Sequence, residues 1–339
     1  MAGRPLRRPE GRPLPPSDAL LAQSSEPAAP AVAVLIPCLN EAPTIAKVVK
    51  DFRAFLPAAR IYVFDNGSAD DTIEIARSAG AIVRHEARRG KGNVVRRMFA
   101  DVEADFYLMV DGDDTYDASA APALMKRMSE EGLDFVNVAR RSSERAAFRA
   151  GHRFGNHMLS RSVQAIFGRE TEDMLSGYKA FSRRYVKSFP ATASGFETET
   201  ELTVHALELR MPMAEIEAPY RERPEGSASK LSTFKDGFKI LALIARLIKD
   251  ERPRMTFVAL GLVLTIVAIL LGGPVINEFL RTGLVPRLPT AVLASGLVIL
   301  GALSMVAGLI LDVVAKARHE TKRLAYLSVP RFPSEIEPA

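Results

Sequence analysis

From residue 31 to about residue 140, short apolar runs alternate with longer segments of mixed polarity. The apolar runs, at residues 32–36, 61–64, 81–83, 106–110 and 135–138, predict strands. Apolar residues at helical spacing lie between them, near residues 43–56, 70–79, 92–104 and 118–131. This alternation predicts an α/β domain with a Rossmann-like, mostly parallel sheet, which we place at residues 31–232. Ligands of such sheets bind beyond the carboxyl ends of the strands.

The C-terminal third has a different pattern, with two long stretches that carry no charge. These stretches, residues 255–273 and 290–311, are each long enough to cross about 30 Å of hydrocarbon as a helix. A buried core helix is the alternative for each. Basic residues flank them: Lys249, Arg252, Arg254, Lys316, Arg318, Lys322 and Arg323. The positive-inside rule then predicts two transmembrane helices within 255–313, in an integral protein of the cytoplasmic membrane. The α/β domain, both termini and a tail at 314–339 would be cytoplasmic.

Two further segments complete the predicted organisation. Residues 1–30 are rich in Pro, Ala, Arg and Ser, which predicts a disordered arm. Within 233–254, apolar residues at helical spacing face away from Lys235, Lys239, Arg246 and Lys249. This pattern predicts a juxtamembrane amphipathic helix in the membrane interface. A helix packed on the α/β domain is the alternative.

Composition excludes several classes of site in this chain of 339 residues and net charge +5. Cys38 is the only cysteine, so an intrachain disulfide and a cysteine-rich zinc site are both excluded. The five histidines show no metal-ligand spacing. Because the basic residues cluster beside the predicted membrane helices and Trp is absent, we predict no nucleic-acid partner.

Three carboxylates, those of Asp111, Asp113 and Asp114, directly follow the fourth predicted strand. Carboxylates packed this closely repel one another unless a cation lies between them. Mg²⁺ in proteins is usually bound by one or two carboxylates together with the phosphates of a substrate. This tract therefore predicts a metal site that handles a nucleotide diphosphate. An acidic turn with solvated charges is the alternative.

Polar residues also follow the first predicted strand. We expect Pro37 to end strand pairing, because proline lacks the N–H group that pairing uses. Asn40 and Glu41 come next, where Glu41 would accept hydrogen bonds from a base or ribose. Helix capping by the same two residues is the alternative, and both roles are compatible.

The second strand and the third helix carry similar signals. Asp65 ends the second strand and Gly67 follows in a tight turn, which would place the Asp65 carboxylate beside a base or ribose. Lys91, between Gly90 and Gly92, would approach a phosphate or base. Each of these motifs is weak when it is taken alone.

Together, the motifs resemble the inverting family-2 glycosyltransferases of GT-A fold. They read Ile-Pro-Cys-Leu-Asn-Glu, Asp-Asn-Gly-Ser-Ala-Asp-Asp-Thr, Gly-Lys-Gly-Asn, Asp-Gly-Asp-Asp and Arg-Pro-Glu-Gly-Ser-Ala-Ser-Lys-Leu, from residues 36, 65, 90, 111 and 223. More narrowly, the chain resembles the membrane-anchored polyprenyl-phosphate glycosyltransferases, the group of dolichol-phosphate mannosyltransferase. The likeness covers about residues 32–250, and the two trailing spans match the bacterial architecture.

The resemblance implies roles for the motif residues and makes 31–232 a catalytic domain. Glu41 and Asp65 would contact the nucleoside. Asp111 and Asp113, with Gly112 between them, would face Mg²⁺ or Mn²⁺ and the diphosphate. Many relatives have a Gln that helps to hold the metal where this chain has Thr115. The third ligand would then be Thr115, Asp114 or water.

The implied acceptor is a lipid phosphate, which needs cations around it. The candidates are Arg140, Arg149, Arg153, Arg223, Ser229 and Lys230. Attraction of these basic residues to anionic lipid headgroups is the alternative. Asp173 lies where this superfamily often has a carboxylate, so it would position the sugar or the acceptor, or cap a helix.

The implied reaction moves a hexosyl unit from a UDP- or GDP-sugar to a polyprenyl phosphate, undecaprenyl or dolichyl, at the cytoplasmic membrane face. A phosphate monoester has a second pKa of about 6, so it attacks without a strong general base. Transfer to a glycan or lipid hydroxyl and a non-catalytic nucleotide-binding membrane scaffold are the alternatives. A homo-oligomer, such as the tetramers of bacterial relatives, is a further expectation.

Overall fold

The computed structural model describes residues 30–141, 172–195, 197–221 and 245–330, together with 158, 160–165, 167–168 and 242. The predicted arm therefore lies outside the described residues, apart from its last position. The predicted juxtamembrane helix is described only in its final part, where residues 245–251 are helical. Five of the predicted acceptor and catalytic residues also lie outside: Arg149, Arg153, Arg223, Ser229 and Lys230.

A seven-stranded sheet forms the centre of the α/β domain. Its strands are β1 (Val32–Cys38), β2 (Arg60–Asp65), β3 (Ile82–His85), β4 (Phe106–Met109), β5 (Phe135–Arg141), β6 (Lys179–Ser182) and β7 (Met213–Pro219). They lie in the order β3-β2-β1-β4-β6-β5-β7. Among these described strands only β6 runs antiparallel to its neighbours. The predicted α/β fold with a mostly parallel sheet is therefore confirmed.

Helices cover both faces of the sheet. They are α1 (Ile45–Phe55), α2 (Thr72–Ser78), α3 (Lys91–Asp101), α4 (Ala121–Glu130), α5 (Arg183–Ser188) and α6 (Thr198–Glu208). Because successive strand residues point to opposite faces, Ile36 packs with α1 and α4, whereas Leu35 packs with α3 and α6. The result is a three-layer domain in which strand ends and connecting turns carry the polar groups.

Pro37 does not end β1, so that prediction is wrong. The ladder with β2 continues through Pro37, opposite Phe64, to Cys38, opposite Asp65. The ladder with β4 stops at Leu35. Since alternate residues direct their N–H groups to alternate neighbours, the missing N–H of Pro37 falls on the β4 side, where pairing has already ended.

Two long apolar helices follow the α/β domain, as predicted: α7 (Pro253–Thr282) and α8 (Leu288–Leu327). They measure about 45 Å and 60 Å at 1.5 Å per residue, and both are long and apolar enough to cross a membrane. Their large side chains are open to the surroundings, with Leu270 69% and Ile299 61% exposed. This exposure argues against the alternative of buried core helices.

Helix α8 extends well beyond its apolar part and contacts the α/β domain. Lys322 Nζ lies 2.6 Å from Glu208 Oε2 of α6. The Tyr326 hydroxyl donates to Asp134 Oδ2 at 2.5 Å, just before β5. The first part of the predicted tail is therefore a continuation of the helix, and it packs against the domain that the helix follows.

Candidate active site

Residues from the ends of three strands meet at one edge of the sheet. Asp65 ends β2, and Asp111 and Asp113 follow β4. Because β6 is antiparallel, its amino end reaches the same edge and brings Gly177 with it. A Cβ atom added to Gly177 would lie 2.0 Å from Asp111 Oδ2, so only glycine allows this approach. The sheet topology thus collects the predicted residues of the β2 and β4 ends at one edge of the sheet, and we call the region around them the cleft.

The turn after β1 is joined to the turn after β2. Asn40 adopts the left-handed conformation, with φ of 53°. Its Oδ1 accepts the Ala69 N–H at 2.8 Å, and the Glu41 N–H donates to Thr72 Oγ1 at 2.9 Å. The Glu41 carbonyl also accepts the N–H groups of Thr44 and Ile45 at the start of α1. The N-cap of α1 is nevertheless Thr44, so the prediction that Asn40 and Glu41 cap this helix is wrong, and nucleoside contact stays a prediction.

The Asp65 carboxylate is fully buried and organises its own turn. It accepts the N–H of Gly67 at 2.8 Å and that of Ser68 at 3.1 Å, and His85 Nδ1 lies 3.2 Å away. Burial alone would raise the pKa of Asp65, but these hydrogen bonds outweigh burial and lower it. Asp65 is therefore an anion at neutral pH. Gly67 supplies the positive φ of 81° that the turn requires.

Asn66, which the sequence reasoning did not select, fixes the glycine-rich turn before α3. Its Nδ2 donates to the carbonyls of Glu86 and Arg88, at 2.9 and 2.8 Å, and its Oδ1 accepts the Gly90 N–H at 2.7 Å. The turn also packs on the backbone of the segment before α6. A Cβ at Gly92 would lie 2.2 Å from the Ala193 carbonyl oxygen. The backbone around Lys91 is thus held from two sides.

Lys91 forms a buried ion-pair bridge in the cleft. Its Nζ lies 2.6 Å from Asp111 Oδ1 and 2.6 Å from Glu199 Oε1. Burial disfavours the charged form of Lys91, but the two carboxylates outweigh this effect and raise its pKa. Burial also raises the pKa of Glu199, and Lys91 opposes that shift. Glu199 is a second residue that the sequence reasoning missed.

Asp113 is buried and held by Thr115. The Thr115 hydroxyl donates to Asp113 Oδ1 at 2.6 Å, and its own side chain is inaccessible to solvent. The Gly112 carbonyl accepts the Thr44 hydroxyl at 2.6 Å, which joins this turn to α1. Asp114 has a φ of 56° and pairs with Lys47 at 2.7 Å. Thr115 therefore orients Asp113 in this structure, and its role as a metal ligand stays a prediction.

Asp173 and Arg140 form a two-point ion pair at the end of β5. Arg140 Nε and Nη2 lie 2.6 and 2.7 Å from the two carboxylate oxygens of Asp173. Burial would raise the pKa of Asp173, but Arg140 outweighs burial and lowers it. A carboxylate in this state is a poor general base at neutral pH, because it holds its negative charge too tightly. Arg140 also lies over the Tyr220 ring, 5.4 Å from its centroid.

A buried polar network holds the backbone at Asp173. The sequence reasoning also missed this network. Lys179 Nζ, fully buried, donates to Asn137 Oδ1 at 2.5 Å. Asn137 Nδ2 donates to the Asp173 carbonyl at 2.9 Å and to Glu215 Oε1 at 2.8 Å. Burial lowers the pKa of Lys179 to about 8. These groups fix the backbone that carries Asp173.

The cleft carboxylates suit a divalent cation in their donor chemistry. Asp111 and Asp113 offer hard oxygen atoms, which Mg²⁺ and Mn²⁺ prefer. The Lys91 ammonium already stands beside Asp111 as a positive charge. A separate group of potential ligands, Glu208, Glu251 and His319, lies at the base of α8. Its two carboxylates pair with Lys322 and Arg318, at 2.6 and 2.9 Å.

This sheet, with carboxylates after β4 and one reversed strand, defines a glycosyltransferase domain of GT-A fold. Residues 33–189 match the family described as Glycosyl transferase family 2. Over 306 residues the chain is 32% identical to Glycosyltransferase AglJ of Haloferax volcanii, which covers 89% of this chain and 99% of that protein. The chain therefore belongs to glycosyl transferase family 2.

Two further likenesses are informative. A Dolichyl-phosphate hexose transferase of H. volcanii is 27% identical over 224 residues, which cover 66% of this chain and 96% of that protein. Glucosyl-3-phosphoglycerate synthase from Mycobacterium tuberculosis, in complex with Mn²⁺, UDP and glucosyl-3-phosphoglycerate, superimposes with a TM-score of 0.54. That likeness covers 66% of this chain and 80% of the synthase at 24% identity, so it shows a shared fold.

Proposed function

We propose that this protein transfers a hexosyl unit from a UDP- or GDP-sugar to a polyprenyl phosphate at the cytoplasmic membrane face. The observation that carries the proposal is the ion pair between Arg140 and Asp173. It lowers the pKa of the carboxylate that transfer to a hydroxyl would need as a base, and it places the Arg140 guanidinium beside that carboxylate. A phosphate acceptor suits such a site, since it brings its own negative charge.

On the donor side, the carboxylates of the β2 and β4 ends have separate tasks. Asp65 and Glu41 would contact the nucleoside. Asp111 and Asp113 would hold Mg²⁺ or Mn²⁺, which when bound neutralises the charge that develops on the leaving diphosphate. Thr115 keeps the Asp113 carboxylate in one orientation. Lys91 and Gly92 begin α3 with a fixed backbone, which suits approach of the Lys91 ammonium to a phosphate.

On the acceptor side, cations replace the general base. Arg140 is present at the cleft, while Arg149, Arg153, Arg223, Ser229 and Lys230 remain proposed contacts outside the described residues. A phosphate oxygen of the acceptor attacks the anomeric carbon as the bond from that carbon to the diphosphate oxygen breaks. Attack opposite to the leaving group inverts the anomeric centre. The nucleophile has no proton to lose, so the reaction needs no strong base. The lowered pKa of Asp173, which makes it a weak base, is compatible with this reaction.

The acceptor's lipid tail accounts for the C-terminal helices. Helices α7 and α8 are long and apolar enough to cross a membrane, and α8 contacts the catalytic domain directly. The similarity to a protein named Dolichyl-phosphate hexose transferase also supports a lipid-phosphate acceptor. We propose that the catalytic domain lies on the cytoplasmic side, because Lys and Arg residues are frequent just before the apolar part of α7 and just after the apolar part of α8.

The test uses the full-length protein purified in detergent, with Mn²⁺ and a panel of UDP- and GDP-sugars. Each donor is offered with polyprenyl phosphate and, as the matched control, with the corresponding polyprenol. We expect a sugar-phosphate-lipid only with the phosphate. A glycoside formed from polyprenol would favour the hydroxyl-acceptor alternative. Nucleotide binding without any product across the panel would favour the scaffold.

A pair of variants tests the metal site within the same assay. Asp113→Asn should abolish turnover, because it removes one of the two carboxylates that face the diphosphate. Asp117→Asn is the control, since asparagine can still accept the Ser119 N–H that Asp117 accepts at 3.0 Å. Full activity of Asp113→Asn would contradict the metal assignment.

A further inference from the structure

The Lys91 side chain bridges one proposed metal ligand and one residue with no assigned role. The ammonium contacts Asp111 and Glu199 with equal distances of 2.6 Å. Only 9% of the Lys91 side chain and 10% of the Glu199 side chain are exposed, whereas Asp111 is 26% exposed. Asp111 therefore faces the cleft, while the two other groups lie behind it.

An ammonium on Asp111 competes with a divalent ion for the same carboxylate. A free ion arriving at Asp111 Oδ1 would meet a positive charge 2.6 Å behind that oxygen. A metal bound to a nucleotide diphosphate is different, because the phosphates carry negative charge that an ammonium can pair with. Lys91 thus disfavours binding of the free divalent ion at Asp111 and favours binding of the ion in complex with the nucleotide diphosphate.

The surrounding backbone limits the available movement to the side chain of Lys91. The Gly92 N–H donates to the Ser194 carbonyl at 3.1 Å, and a Cβ at Gly90 would lie 2.2 Å from the same oxygen. The facing segment is itself held, since Glu201 accepts the N–H of Ala193 at 3.0 Å. Glu199, at the start of α6, follows this segment, and its Oε1 lies 2.6 Å from the Lys91 ammonium.

We propose that Lys91 is a built-in counter-cation that excludes free divalent metal from Asp111 and turns to the donor's diphosphate when metal arrives with the nucleotide. Glu199 is the positioning residue that keeps Lys91 within reach of both. This inference rests on the proposed function only in taking Asp111 as a metal ligand. It concerns the order in which metal and nucleotide bind, and not the acceptor.

The clearest test compares proteins of equal formal charge. Lys91→Met/Glu199→Gln removes one positive and one negative charge, so the cleft keeps its net charge while Asp111 loses its ammonium. We expect this double variant to bind free Mn²⁺ about tenfold more tightly than the unmodified protein, equivalent to about 1.4 kcal/mol. Its affinity for Mn²⁺ with UDP or GDP should fall about tenfold, because the diphosphate loses its ammonium partner.

Single and control variants separate the contributions. Glu199→Gln alone should leave free Mn²⁺ binding no tighter, since Lys91 remains on Asp111, but it should weaken the nucleotide complex. Adding Asp113→Asn to the double variant should remove the gain in Mn²⁺ affinity. That control shows that the ion binds in the cleft and not at Glu208 and His319. Free Mn²⁺ is measured by its paramagnetic resonance signal with full-length protein in detergent.

The outcomes distinguish this inference from the proposed function. Equal free-Mn²⁺ affinity of the double variant and the unmodified protein would overturn the counter-cation role, even if polyprenyl phosphate is glycosylated. Tighter free Mn²⁺ with weaker nucleotide complex would support it, even if no lipid phosphate is glycosylated. An unchanged affinity for the nucleotide complex would overturn the proposed turn of Lys91 toward the diphosphate.

Discussion

Substituting Gly177 by alanine would test the geometry of the cleft directly. The new Cβ would lie 2.0 Å from Asp111 Oδ2, and real Cβ atoms essentially never approach a neighbour closer than 3.0 Å. Either the Gly177 backbone or the Asp111 side chain must therefore move by about 1 Å. The backbone is the less mobile of the two, because the Gly177 N–H donates to the buried Tyr116 hydroxyl at 2.7 Å and β6 begins two residues later.

The displacement should affect activity far more than stability. Asp111 is partly exposed, so its side chain can swing outward without overpacking the core. A misplacement of about 1 Å at reacting groups costs about 10²-fold in rate. We therefore expect Gly177→Ala to lower kcat about 100-fold. The free energy of unfolding should change by less than the roughly 1–3 kcal/mol of an overpacked core.

The assay is release of nucleoside diphosphate by full-length protein with saturating Mn²⁺, alongside thermal unfolding. Gly296→Ala in α8 is the matched control, because an added Cβ there meets nothing within 4 Å. It should leave turnover unchanged and should not lower the free energy of unfolding, because alanine is the better helix former. If Gly177→Ala keeps turnover within about threefold while the fold is intact, Asp111 does not act from the position described here. A large loss of stability in Gly177→Ala would instead show that the backbone moves.

Three further substitutions probe other parts of the structure. Arg140→Lys should lower turnover about tenfold with little change in unfolding, because lysine cannot make the two-point contact that arginine makes; unchanged turnover would contradict the acceptor role. The pKa of His205 is lowered to about 3 by burial and a nearby ammonium. Between about pH 6.5 and pH 3, His205 therefore binds a proton in the unfolded state but not in the folded state. The free energy of unfolding is unaffected by His205 above pH 6.5, and it falls by about 1.4 kcal/mol for each pH unit toward pH 3. Denaturant unfolding between pH 7 and 5 should show a shallower acid loss in His205→Gln, and an equal slope would refute the assignment. Tyr326→Phe removes a 2.5 Å hydrogen bond to a buried carboxylate and should lower unfolding stability by about 1–3 kcal/mol, measured by denaturant titration at pH 7.5; no change would show that α8 contributes little to docking.

The first half of the domain was predictable because its periodicity is strong. Strands β1 to β5 are short apolar runs between amphipathic helices, and the structure places each within a few residues of its predicted position. The polar strand ends then pointed to Asp65, Asp111 and Asp113. Their assembly into one cleft follows from parallel strands, whose carboxyl ends share an edge.

The second half of the domain was less predictable, because its pattern of polar and apolar residues does not match which residues are buried. Helix α6 reads as a polar helix, yet all of its residues except Glu201 are buried. No local signal therefore distinguishes Glu199, and its partner lies 108 positions away along the chain. Strand β6 is only four residues long and contains the buried Lys179, so neither its length nor its composition signalled a strand. Ion pairs between residues far apart in the sequence compensate the cost of burying their charges here, and the local sequence around each residue gives no sign of such a pair.

Helix α8 links the apolar and catalytic parts through one stripe of side chains. Arg318, Lys322 and Tyr326 are spaced four apart, so they share a helix face, and they contact Glu251, the end of α6 and the start of β5 respectively. About 22 Å of helix separates Leu311, the last apolar residue before Asp312, from Tyr326 at 1.5 Å per residue. A continuous helix is stiff over that length, so the catalytic sheet is held at a short, fixed distance from the apolar spans. Because Asp134 precedes β5 and Arg140 lies near its end, α8 contacts the amino edge of the sheet, about 20 Å along β5 from the edge that carries the site.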